Sequence, residues 1–221
     1  IGRVTLPVLA GLEEADLKHR VLTALKLAAA LIPPILLWVG FFAPVVVAVV
    51  LGKDWTDSAA PLLPWLVLAL LFQCLFSPIS VIDIIRDLPE VTLGWNLANV
   101  GVRAAALWWG SRQGSLLDAV AWYAACSAAM WLIYGALLAW MLRAGYGTFF
   151  GAWMRFLPLW GLLALGFWAA VAMTPGPWWT GMAASILPGL LCLGAVAKLQ
   201  PEVLDALLKL GGRRPVASPE N

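Results

Sequence analysis

The sequence predicts an all-α integral membrane protein, a single bundle of about six transmembrane helices, and three observations carry that expectation. The chain has 221 residues, 62% hydrophobic and only 12% charged, where soluble domains carry about 25% charged residues. Charge is absent from long stretches such as Leu27 to Leu51 and Phe156 to Thr174. At about 1.5 Å per residue each is long enough to cross a hydrocarbon core of roughly 30 Å. Lys and Arg gather in alternate connections, as they do where cationic loops stay in the cytoplasm.

Residues 1–23 are expected to hold the end of a preceding helix, Val4 to Leu12, and a cytoplasmic connector, Glu13 to Arg20, acidic and then basic. No positively charged n-region or small-residue cleavage site precedes the first apolar run, so Ile1 reads as an internal start. Six spans follow, over 24–51, 60–83, 91–110, 116–141, 156–174 and 178–198, with Gly, Pro and charged residues in every gap. Together they form a bundle over 24–198. Residues 199–221 read as a cytoplasmic tail: Gln200 to Leu210 as a short amphipathic helix, and GGRRPVASPEN as a disordered end.

An even number of spans returns both ends to one side. Arg3, Lys18, Arg20, Lys26, Arg86, Arg143, Arg155, Lys198, Lys209, Arg213 and Arg214 fall on that side. Lys53 and Arg112 fall opposite, with Arg103 inside a span. This bias places both ends in the cytoplasm, and the membrane is expected to be a bacterial-type inner membrane. The 14 tryptophans agree with it: Trp55, Trp108, Trp109, Trp178 and Trp179 fall at outer ends, Trp95 and Trp153 near inner ends, where indole rings favour the headgroup level. Trp38, Trp131 and Trp168 lie mid-span and are read as lipid contacts or helix packing.

Several functions are disfavoured. A net charge of +2 without a Lys/Arg cluster interleaved with aromatics argues against nucleic acid as a partner. Cys74, Cys126 and Cys192 are far apart in apolar stretches and lack metal-ligand spacing. The single histidine, His19, sits among charges in the connector, so there is no His-based triad and no HExxH; nor is there a glycine-rich phosphate loop. Asp54 and Asp57 flank Trp55 in a turn and are read as loop caps. No cofactor is implied, and an enzyme is not expected.

The third span carries the strongest constellation. Thr92, Asn96, Asn99 and Arg103 follow at i, i+4, i+7 and i+11, one face of a helix. An arginine at a helix centre costs about 2.5–3.5 kcal/mol even on the lenient insertion scale, so this face should turn toward protein or a water-lined cavity. The competing reading is that Arg103, seven residues before Gly110, snorkels to the outer interface. Guanidinium binds phosphate bidentately, and the Asn96 and Asn99 amides suit sugar hydroxyls or a pyrophosphate. Weaker stripes are Gln73, Ser77 and Ser80, with Pro78 expected to kink the second span, and Tyr123, Ser127 and Tyr134 on the fourth. Ser and Tyr in such helices more often satisfy local or interhelical bonds. Ala121, Ala125 and Ala129 suggest a small-residue packing ridge. Asp83, Arg86, Asp87 and Glu90 read as a solvated interfacial cluster, with Asp83 a weak candidate for proton coupling.

Three segments carry a family resemblance. VTLPVLAGLEEADLKHRVLTALKLAAALIPP, FFAPVVVAVVLGKDWTDSAAPLLPWL and LFSPISVIDIIRDLPEVTLGWNLANVGVR resemble the C-terminal half of oligosaccharide flippases. These form the polysaccharide-export branch of the multidrug, oligosaccharidyl-lipid and polysaccharide exporter superfamily. Asp83 stands where small residues are common in that family. The resemblance implies a two-lobed MATE-like transporter fold, with this chain as the C-terminal lobe and an N-terminal helix bundle of the same protein as its partner. It implies movement of an undecaprenyl-diphosphate-linked oligosaccharide to the outer leaflet by alternating access, within membrane lipid. Arg103 would be a diphosphate contact and Lys26 an admitting cation on the cytoplasmic side. The competing readings are a cation-coupled multidrug exporter and a membrane-embedded glycan polymerase or acyltransferase; the short outer loops disfavour the last.

Overall fold

A computed structural model describes residues 13–80 and 82–173, together with Ser185, Gly189 and Gly194. Among the described residues every regular element is helical: α1 (Glu14–Phe41), α2 (Ala43–Val50), α3 (Thr56–Ala59), α4 (Leu63–Phe76), α5 (Ile82–Ile85), α6 (Pro89–Ser111), α7 (Leu116–Met141), α8 (Tyr146–Met154) and α9 (Leu157–Met173). Short 3-10 turns, Lys53–Trp55, Ala60–Leu62 and Ser77–Ile79, join α2 to α3, α3 to α4 and α4 to α5.

Four helical stretches are long and apolar enough to cross a membrane: Glu14–Phe41, Lys53–Ile85, Leu116–Met141 and Tyr146–Ala172. Their outward faces agree with a lipid solvent, since large side chains such as Leu162, Leu165, Trp168 and Ile133 stand exposed, where a soluble monomer rarely shows extensive apolar patches. The expected span 91–110 is a helix of 23 residues, α6, but its polar stripe and glycines keep it out of that group. The expected span 178–198 lies outside the described residues apart from Ser185, Gly189 and Gly194. So do Val4 to Leu12, the tail over 199–221, Trp178, Trp179 and Cys192.

Boundaries move for local reasons. Glu13 to Arg20 is no loop but the start of α1, whose first turn carries Glu14 and Asp16, acids that suit a helix N-terminus. The stretch 24–51 breaks at Phe42, where Pro44 opens α2. Pro78 ends the second span's α-helix rather than kinking it, in the 3-10 turn Ser77–Ile79. The α7 start is capped by Ser115, whose Oγ accepts from the Asp118 N–H at 3.1 Å and donates to the Asp118 carboxylate at 2.6 Å.

Pro33 and Pro34 sit inside α1 and supply no N–H, so the carbonyls four residues earlier lack their helical donors. One of these is Ala29. Trp160 of α9 donates its Nε1–H to the Ala29 carbonyl at 3.0 Å in a buried contact. In hydrocarbon, where water cannot substitute, a neighbouring helix must meet such a need.

The helices pack in the spatial order α6, α7, α4, α1, α9, with α8 against α1 and α7. Alternating direction gives the bundle two ends. Glu14, Arg86 and Arg143 meet at one, within 3.3–3.9 Å. Lys53 and Arg112 lie in the connections at the other, where Arg112 stands 4.2 Å from the Trp108 ring centroid. At the first end Phe76 stacks on Phe149 and Trp153 on Trp160, so Trp153 is buried in the core rather than placed at an interface. Two glycines allow close approach. A Cβ at Gly110 would lie 2.6 Å from Ala119 Cα, and one at Gly135 would lie 2.8 Å from the Phe76 ring.

Candidate functional site

Among the described residues α6 lies at the edge of the bundle and packs chiefly along α7, with α5 at its foot. Pro89 opens it, suiting a first turn that needs no N–H donor. It runs antiparallel to α7, as successive contacts show. Gly110 meets Ala119, the Arg103 guanidinium carbon lies 5.5 Å from the Tyr123 ring centroid, and Trp95 packs on Trp131 and Tyr134 at 6.4 and 4.8 Å. That register sets Asn99 level with Ser127.

The stripe on the third span therefore turns mostly inward. Thr92, Asn99 and Arg103 are half-buried. Asn96 is exposed at the rim of the seam, since among the described residues α6 packs chiefly against α7. The Arg103 Nε and Nη2 are buried, without hydrogen-bond partners, and so is Asn99 Oδ1. Opposite them on α7, Ser127 is 0% exposed. Its Oγ and the Trp131 Nε1 are likewise buried and unpartnered.

Asp83 occupies the foot of the same helix. It is 5% exposed, a buried group rather than part of a solvated cluster. Its carboxylate accepts from Thr92 Oγ1 at 2.6 Å and from the Ile84 N–H at 2.8 Å. Thr92 is the first member of the stripe, so Asp83 fastens α6 at its base. Next to it, Arg86 Nη2 donates to Glu14 Oε1 at 3.3 Å, while Lys18 and Arg143 approach the same carboxylate at 3.7 and 3.9 Å. Asp87 and Arg143 each adopt positive φ, 52° and 49°, in the turns that close α5 and α7. A non-glycine residue there costs roughly 1–2 kcal/mol.

The other sequence-predicted residues stand elsewhere. Gln73 is half-buried on α4, beyond α7 from α6, and Lys26 is half-buried on α1, further across the bundle. Ser80 donates to the Ser77 carbonyl at 2.8 Å, a local bond in the 3-10 turn, so Gln73, Ser77 and Ser80 form no continuous α-helical face. Ala125 and Ala129 are exposed, while the buried alanines of α7 include Ala124 and Ala128. Ser127 and Tyr123 were visible as a weak stripe. Trp131 reads as mid-span packing, and only its unpartnered N–H marks it out. Among the described residues no group of three or more His, Cys, Asp or Glu is placed to hold a metal.

The arrangement brings a guanidinium, an amide, a hydroxyl and an indole N–H to one interhelical seam between two fastenings, Asp83–Thr92 and Gly110–Ala119. Chemically it is a donor-rich, positively charged strip in an apolar bundle. Comparison of the chain with models of protein families, with curated proteins and with solved structures finds no match in any of the three.

Proposed function

We propose that the chain is part of a transporter, not an enzyme, that moves a lipid-linked oligosaccharide of the undecaprenyl-diphosphate type across a bacterial inner membrane by alternating access. The resemblance of its three segments to oligosaccharide flippases motivates the substrate class. The single observation that carries the reading is Arg103, a cation on a polar-striped helix whose Nε and Nη2 are buried without acceptors. A guanidinium held so in a membrane protein is expensive, and such residues mark substrate or ion pathways. Asn99 and Asn96 lie on the same face toward the saccharide, and the buried Asp83 is the coupling candidate at the foot of α6.

Replacing Arg103 with Ala in the full-length protein is expected to cut surface glycan export about tenfold or more. That corresponds to loss of a contact with a charged group worth about 1.5–3 kcal/mol, since 1.4 kcal/mol is a factor of ten. Export at the wild-type level with normal expression removes Arg103 from the mechanism. Altered tolerance to cationic compounds with unchanged glycan favours the drug-export reading instead.

A further inference from the structure

We propose that Lys18, Arg86 and Arg143 form an interfacial site for the headgroup of an anionic phospholipid, at the end of the bundle where α1 begins and α7 ends. The site stands whether or not the bundle moves a saccharide.

Three cations from separate elements meet there on one carboxylate. Glu14 Oε1 lies 3.3 Å from Arg86 Nη2 and 3.7 Å from Lys18 Nζ, and Glu14 Oε2 lies 3.9 Å from Arg143 Nη1. Among the described residues no other carboxylate comes within 4.0 Å of the three, so positive charge is in excess. The other acids at this end are turned or held away. Asp16 follows Glu14 by two residues and so lies about 200° round α1 from it. Glu90 precedes Thr92 by two residues and lies as far round α6 from the stripe that meets α7. Glu13 and Asp87 stand exposed in the flanking turns.

Hydrogen bonding is equally lopsided. Arg86 donates to Glu14 at 3.3 Å, while its own Nε is buried without an acceptor. Two guanidinium groups and an ammonium bring more N–H donors than the two oxygens of one carboxylate can serve. The unmet need is for further anionic oxygens.

The position of the excess identifies the occupant. The Arg143 side chain is 74% exposed and that of Lys18 33%, so a ligand reaches both without displacing Glu14. Trp140 and Tyr146, three residues before and after Arg143, are exposed, and such rings favour headgroup depth. Ile84, two residues before Arg86, is an exposed apolar side chain. A soluble anion has no use for these neighbours, whereas a phospholipid brings a phosphate for the cations and acyl chains for the apolar side chains. Basic pockets between transmembrane helices recognise lipid headgroups in this way.

The test uses the purified full-length protein in nanodiscs of phosphatidylcholine with increasing phosphatidylglycerol, and thermal unfolding followed by tryptophan fluorescence. The midpoint is expected to rise and saturate, since a ligand bound only by the folded state stabilises it; no rise overturns the site. In Arg143→Gln the fraction of phosphatidylglycerol that gives half the rise is expected to increase roughly fivefold, the effect of one cation beside an anionic surface. A wild-type fraction overturns the site, and Lys18→Gln carries the same expectation should Arg143→Gln not fold. Glu14→Gln separates a lipid site from a structural clasp, because it removes the anion that competes with phosphate for the same cations. The half-rise fraction should then fall, even where the protein unfolds earlier; an unchanged or larger fraction makes the cluster an internal ion network and sinks the proposal. Arg112→Gln removes the same charge at the opposite end and should leave the fraction at its wild-type value. A change as large as that of Arg143→Gln would show that net charge alone is sensed and that no site exists. Sodium phosphate added to pure phosphatidylcholine nanodiscs is expected to leave the midpoint unchanged, and a rise there gives the cluster to a soluble anion instead of a lipid.

Discussion

Pro33 deprives the Ala29 carbonyl of its helical donor, and Trp160, 131 residues further on, provides a replacement at 3.0 Å. Interhelical hydrogen bonds in membranes average about 0.6 kcal/mol and reach about 1.7. Trp160→Phe is therefore expected to destabilise the protein by about 1 kcal/mol in detergent unfolding. In a Pro33→Ala background, where residue 33 again donates to Ala29, the same change should cost less, giving a coupling of about 0.5–1 kcal/mol in a double-mutant cycle. Additive effects would show that the indole N–H does not serve this carbonyl. Such pairings were invisible in the sequence, since the prolines announce a missing donor but not which of 14 tryptophans supplies it. The same holds for Ser127: it reads as ordinary on its own helix, and only the register of α7 against α6 sets it level with Asn99.

Helices 20 or more residues long were legible as elements because apolar length is a one-dimensional signal, and the span 116–141 coincides with α7, Leu116–Met141. Polar helical turns were not: Glu14 to Arg20 belongs to α1 although its side chains read as a connector. α6 was legible from its stripe, yet which members face inward is set by the side on which α7 packs. Its attachment can be tested at Gly110. A Cβ there meets the Ala119 backbone at 2.6 Å, which cannot rotate away as a side chain would. Gly110→Ala is expected to cost about 1–3 kcal/mol and to loosen the head of α6, seen as faster hydrogen exchange near the α6–α7 turn. Unaltered stability and exchange would show that the two helices need not approach so closely.

Across the whole molecule, ion pairing at Glu14 draws Lys18, Arg86 and Arg143 to one end, three cations that charge bias alone had grouped together. Lys53 and Arg112 sit in the connections at the opposite end. Cysteines placed at Lys53 and Arg143 should accordingly react with a membrane-impermeant maleimide from opposite faces of the membrane, read by labelling intact cells against inverted vesicles. Labelling from the same face would dismantle the topology. The Trp160 contact also bears on how the chain is made. At roughly 5–20 residues per second, the 131 residues separating Ala29 from its indole partner occupy the ribosome for on the order of ten seconds. Throughout that interval α1 holds a carbonyl that nothing yet synthesised is known to satisfy, which gives the nascent helix a reason to linger beside the insertion machinery until α9 emerges.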